Sequence, residues 1–170
     1  LDEDDLIYIY GQTTGDMDVE GDNIYDESPN AGQFVACFDT QLQNLEWCTR
    51  VGSGASDNQI EISPTAFLVS ECGQIYMSGW GGATNAVSTT GTTGMPVTSD
   101  AFQATTDGSD FWLGVLNPGA EEFIYGTFFG GSSSNEHVDG GTSRFDKNGT
   151  VYQAVCAGCG GNNDFPTTPG

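Results

Sequence analysis

One register relates two distant parts of this chain and limits what it can fold into. With Trp112 laid on Phe34, a constant offset of 78 also brings Leu116 onto Phe38, Asn117 onto Asp39, Phe123 onto Leu45, Tyr125 onto Trp47, Thr127 onto Thr49 and Gly130 onto Gly52. In the second copy two short runs rich in aromatic and branched residues, 111–116 and 123–129, flank the turn formers Asn117-Pro118-Gly119-Ala120. Such runs around such a turn read as a hairpin, and a repeated hairpin makes this a repeat architecture before any single residue is weighed.

The remaining segments arrange themselves around the two hairpins. A short strand over 6–10 ends at Gly11, and a loop over 12–33 carries Asp16, Asp18, Glu20, Asp22, Asp26 and Glu27. The first hairpin, 34–40 with 45–51, leads through a polar connector to a second, 66–69 with 74–79, around Glu71-Cys72-Gly73. Downstream the order returns: the organising hairpin, a connector over 131–141, a strand near 143–145, the turn Asp146-Lys147-Asn148-Gly149 and a strand over 150–155. Ile7-Tyr8, Ile75-Tyr76 and Val151-Tyr152 mark one strand three times at spacings of 68 and 76.

Four-stranded up-and-down units in series are the sequence image of propeller blades. The expected division is 1–33 as the end of a preceding blade plus an acidic loop, 34–82 as the first blade, 83–107 as a Thr/Ser/Gly-rich surface loop, 108–161 as the second blade and 162–170 as an inter-blade joint. An all-β fold also follows from 25 Gly and the lack of any Ala/Leu/Lys/Glu-rich window.

Three Lys plus Arg against 24 Asp plus Glu leave a net charge of −21. That balance disfavours nucleic acid and anionic lipid as partners, and neither is expected, since both require cationic countercharge. Cations and a saline, secreted habitat suit it better. No apolar run reaches the roughly 18 residues of a membrane span, so no membrane insertion is expected. A chain that opens on Leu1 without Met and closes on Pro169-Gly170 reads as a segment of a longer polypeptide.

The words Phe34-Val35-Ala36, Leu116-Asn117-Pro118, Tyr125-Gly126-Thr127 with Gly130-Gly131, Asn148-Gly149-Thr150-Val151-Tyr152 and the closing stretch from Asp164-Phe165-Pro166 onward resemble the SBBP repeat, a bacterial β-propeller repeat. It belongs to large secreted surface proteins of gliding bacteria that use type IX secretion. The resemblance covers nearly all of 6–170, and Met95-Pro96-Val97-Thr98 aligns with the closing stretch as a joint. It implies an extracellular, cell-surface scaffold or adhesin with no family-wide catalytic residues. Its partners would be other parts of the same protein, sister copies or cell-surface glycans, with oligomers allowed. The cysteines, the acidity and the long loops depart from the plain repeat.

Several residues invite chemistry. Cys156-Ala157-Gly158-Cys159 lacks the following helix of a redox motif and a second ligand pair for zinc, so a structural disulfide is the favoured reading. Cys37 and Cys48 lie symmetrically about a turn centred between Leu42 and Gln43, and that register makes them a cross-strand bridge; Cys72 is left odd, free or bonded to another chain. Asp107, Asp110, Asn162 and Asp164 sit in oxygen-rich turns and are candidate calcium ligands, with turn formation as the competing role. Glu136-His137-Val138-Asp139 is read as a polar connector, because no nucleophile accompanies the His. Trp112 and Tyr125 are expected in the core, and Trp80 at a strand exit is the candidate exposed contact. A non-catalytic structural or adhesive segment is the favoured function. A calcium-dependent carbohydrate-binding module and a propeller-type polysaccharide-degrading enzyme remain as alternatives.

Overall fold

The computed structural model describes residues 6–28, 30–54, 59–82, 89–138, 143–159 and 162–169. The acidic start at 1–5, the middle of the first connector at 55–58, part of the Thr/Ser/Gly-rich loop at 83–88 and Asp139 lie outside them. The chain is all-β. Strands β1 (Ile7–Gln12), β2 (Gln33–Phe38) and β3 (Leu45–Val51) form an antiparallel three-stranded sheet. Strands β4 (Ser63–Val69), β5 (Ile75–Trp80), β6 (Phe111–Leu116) and β7 (Phe123–Phe129) form a four-stranded one. Two short ladders complete the description, β8 (Glu136–Val138) with β11 (Val155–Ala157) and β9 (Arg144–Phe145) with β10 (Val151–Tyr152).

The internal repeat is carried into the backbone. β2 and β3 shifted by 78 give the bounds of β6 and β7, and the register slips at matching places, Cys37/Phe38 and Val115/Leu116. The turns match as well. Asp39 N donates to Asn44 O at 3.1 Å and Asn117 N to Glu122 O at 2.9 Å, while Leu42 and Ala120 both hold left-handed φ, 56° and 57°. Even the edges are treated alike. Glu20 pairs with the backbone of Cys48 on β3, and Thr98 N donates to Gly126 O on β7, so each edge strand is covered by the loop that precedes its hairpin.

Strand partnership differs from the expected division. The hairpin over 63–80 does not complete a sheet with 34–51; it pairs through β5 and β6 with the hairpin that follows, on the far side of the long loop. The repeating unit therefore begins at β4, half a unit later than 34–82 implies, and β1 is the partial counterpart of β5. Local pattern does not fix this pairing, because each hairpin offers a strand edge to the neighbour on either side. The long loop is also more than surface. Met95 is buried in the core, Trp112 Nε1 donates to Pro96 O at 2.8 Å, and Thr92 is fully buried. Its hydroxyls satisfy backbone and neighbours, which lets a polar segment pack.

The two sheets meet face to face. Tyr8 and Tyr10 of β1, Val35 of β2 and Val51 of β3 pack toward Phe67, Met77, Trp112 and Phe128 of the second sheet, with Tyr10 stacked on Phe67 at 5.6 Å. Trp112 has no exposed surface and stacks on Phe123 at 6.1 Å. Truncating it removes the centre of this interface, so Trp112→Ala should lower unfolding free energy by about 3–5 kcal/mol in urea titrations. A loss under about 0.5 kcal/mol would mean that the indole carries no packing role.

Candidate functional site

At the end of β7 the chain passes through Gly130-Gly131, and four acids from three segments, Asp107 with Asp110, Glu136 and Asp164, gather around it. A β-carbon built on Gly130 would overlap Asp110 Oδ1 and lie 2.8 Å from Glu136 Oε2; one built on Gly131 would overlap Ser134 Oγ and Asp164 Oδ1. Glycine is required because the carboxylates occupy the space of a side chain. Asp110 and Glu136 have no exposed surface. Glu136 is held by its own N–H, which donates to Ser109 O at 3.1 Å, and its Oε1 accepts from Gly131 N at 3.3 Å and from Ser134 Oγ. Asp110 Oδ2 accepts from Gln103 Nε2 at 3.1 Å, and Gln103 Oε1 accepts from Gly130 N at 3.1 Å. The other oxygen of each acid, Asp110 Oδ1 and Glu136 Oε2, is buried without a hydrogen-bond partner.

Burial pushes the Asp110 carboxyl up to about 6; a Thr106 hydrogen bond opposes the rise, and the charges of Asp107 and Glu136 add to it. Glu136 is raised for the same leading reason, against its bonds from Ser134 and Gly131, with the charges of Asp107 and Asp164 adding. Asp164 moves the other way: Ser132 N, Ser132 Oγ and Ser133 Oγ all donate to its Oδ2, at 3.0, 2.7 and 3.1 Å. Those bonds hold its carboxyl below the usual range, the Ser132 hydroxyl first.

Three of the four residues singled out as calcium candidates, Asp107, Asp110 and Asp164, thus surround one locus. Asp107 also makes a turn, its Oδ1 accepting from Ser109 N at 2.9 Å. Asn162 is spent elsewhere, donating through Nδ2 to Ser133 Oγ at 3.0 Å. Glu136 is the member that sequence reading missed. Its polar surroundings read as a connector, whereas 136–138 form β8, paired with β11 so that His137 faces Cys156.

Of the cysteines, Cys156 and Cys159 are joined, Cα to Cα 6.2 Å. His137 offers a ligand atom within 4.8 Å of both sulfurs, but bonded sulfurs have no thiolate to give a metal. The bridge expected between Cys37 and Cys48 is not made. The register puts Cys48 opposite Ala36 and Cys37 opposite Trp47, one residue away from the symmetric pairing, so the two thiols point to opposite faces of the sheet. Burial lifts the Cys48 thiol to about 11, and its sulfur sits 3.3 Å from Met17 Sδ. Cys72 is exposed in its turn. Trp80, at the end of β5, is half-buried and packs on His137 at 5.6 Å between ring centres.

A second concavity lies on the outer face of the four-stranded sheet. It is an apolar groove of about 390 Å³ lined by Phe102, Phe111, Leu113, Phe129, Val155 and Phe165 among others, and Phe102 is 70% exposed. No family model matches the chain, and no characterised protein or solved structure shows significant similarity to it.

Two measurements probe these assignments. A thiol reagent should label Cys72 alone in the folded protein, Cys37 and Cys48 as well after unfolding, and Cys156 and Cys159 only after reduction. Fast labelling of Cys48 in the folded state would refute its placement. The raised pKa of Asp110 makes its contribution to stability complete below the unfolded value near 4 and lost as pH rises through about 6. In chelating buffer, Asp110→Asn should therefore gain on the wild type by on the order of 2 kcal/mol between pH 4.5 and 7. A pH-independent difference would show that the buried carboxyl does not titrate.

Proposed function

We propose that the chain is a non-catalytic structural segment of a large extracellular surface protein, built from propeller-like units that stack sheet on sheet. The observation that carries this is the repeat register applied to the sheet faces. In the first sheet the face that meets its neighbour presents Val35, Thr49 and Val51; shifted by 78, those positions are Leu113, Thr127 and Phe129, which line the apolar groove on the outer face of the second sheet. One surface is used as an interface in one unit and stands partly open in the next.

The second sheet's outer face is already approached by the start of a third unit, with Phe145 against Tyr76 at 5.6 Å and Gln153 Nε2 donating to Ser78 Oγ at 3.3 Å. The groove beside it is suited to the corresponding face of a following unit or of a sister copy. The resemblance to the SBBP repeat, with its cell-surface scaffolding or adhesive role, points the same way, and a disulfide is compatible with an oxidising exterior. The acid pair at Asp110 and Glu136 is buried, so it presents no open cleft for the sugar ring that a carboxylate-based glycosidase must bind.

The groove predicts association. Sedimentation velocity should show the chain shifting toward dimers and longer assemblies as concentration rises, and Leu113→Glu should hold it monomeric with little change in its urea midpoint. A wild type that stays monomeric at every concentration, together with binding of glycans that Phe102→Ala abolishes, would replace stacking with carbohydrate recognition.

A further inference from the structure

We infer that Asp110 and Glu136 form the core of a calcium-binding site, in which Asp107 and Asp164 supply outer negative charge. The inference rests on the chemistry of the locus, apart from whether the sheet faces dock.

The chain contains its own control. At the matching place in the first sheet a single acid, Glu61, is buried beside Gly52, and both of its oxygens are engaged. Oε1 accepts from Ser53 N at 3.1 Å and Ser53 Oγ at 2.8 Å, and Oε2 accepts from Gly32 N at 3.1 Å. In the second sheet the offset of 78 puts Asp110 where Gly32 stands and Gly131 where Ser53 stands. The Gly131 N–H still reaches Glu136 Oε1, but the backbone donor to the second oxygen is gone, and a second carboxylate has been added in its place. A satisfied buried acid has become two acids, each fully buried and each with an oxygen that has no partner, both against Gly130.

Buried carboxylates without countercharge are costly, and in proteins they are paired, protonated or bound to metal. The chain has three basic side chains to offer. Arg50 donates to Gly15 O at 2.9 Å, Arg144 lies over the Tyr152 ring, and Lys147 is exposed in the turn after β9. When the pair is ionised, its countercharge comes from solution. The donors are all carboxylate oxygens, with no imidazole or thiolate among them, which selects a hard cation. Two carboxylates from separate segments, with Asp107 and Asp164 beside them and water to complete the shell, suit the flexible coordination of calcium better than the tight octahedron of magnesium. The ion would tie β6 to β8 at the junction between consecutive units, where the chain leaves one sheet for the next.

The test is calorimetric titration of the chelator-stripped protein with CaCl2 in 150 mM NaCl (roughly physiological ionic strength), with thermal melts alongside. One saturable site with a dissociation constant on the order of 10⁻⁴ M is expected, as in extracellular calcium modules. At about 10 mM calcium it should raise Tm by roughly 5 °C, and MgCl2 should give a smaller rise. Asp110→Asn and Glu136→Gln should each abolish the saturable heat and the Tm response, and in chelator both should melt at or above the stripped wild type. Glu121→Gln, an exposed acid outside the cluster, should retain the full response. No saturable heat in the wild type, an undiminished response in both cluster variants, or an equal response to magnesium would overturn the assignment.

Discussion

A sheet that is apolar on both faces cannot stand alone in water, and the rest of this structure answers that constraint. Along β6 the consecutive residues Phe111, Trp112 and Leu113 break the in-out alternation of a half-solvated strand: Trp112 points into the interface with the first sheet, while Phe111 and Leu113 point out the other side. Two-sided burial is what demands a neighbour on each face. The first sheet supplies one, and the ladders of β8 to β11 with Phe165 begin to supply the other, Phe165 meeting Phe111 and Phe129 edge-on at 6.4 and 5.2 Å.

Because the two sheets share one core, the connections matter as much as the strands. The loops that precede β2 and β6 hydrogen-bond the edges of β3 and β7 and fill the core with Tyr25 and Met95. Their polarity suits this task, because threonine and glutamine side chains satisfy backbone groups that a hydrophobic loop would leave bare. Gln103 shows the economy of the arrangement. Its backbone meets Thr127 and Phe128 of β7, and its side chain orients Asp110 while receiving the N–H of Gly130. A segment that reads as featureless in composition therefore builds both the sheet edge and the acid locus.

The hairpins were legible to within a few residues: 111–116 and 123–129 coincide with β6 and β7, whereas 34–40 runs two residues past the end of β2 and 66–69 starts three residues into β4. Trp112 sits in the core as its place on the strand implied. Strand partnership was not legible, since 63–80 is composed to pair with either neighbouring hairpin. The Cys37 and Cys48 pairing failed on a single residue: symmetry about the turn places them opposite, and the bulge at Cys37/Phe38 with the true register places them on different faces. Asp107, Asp110 and Asp164 could be named from their oxygen-rich turns, but Glu136 lay hidden in a stretch too short and polar to read as strand. The exchange of Gly32 for Asp110 within the repeat was the available signal.

What the amino-acid order determined by itself was local and periodic: β-structure, the two matched hairpins, their turns and the glycine that ends each one. Those depend on side-chain pattern and backbone preference within a few residues, and such information is carried along the chain. Tertiary structure alone decided which hairpin joins which sheet, which face is covered, and that two acids separated by 26 positions are buried together against Gly130. These outcomes are set by contacts between remote segments, where a register step of one residue reverses a face and a glycine's missing side chain leaves room for two carboxylates.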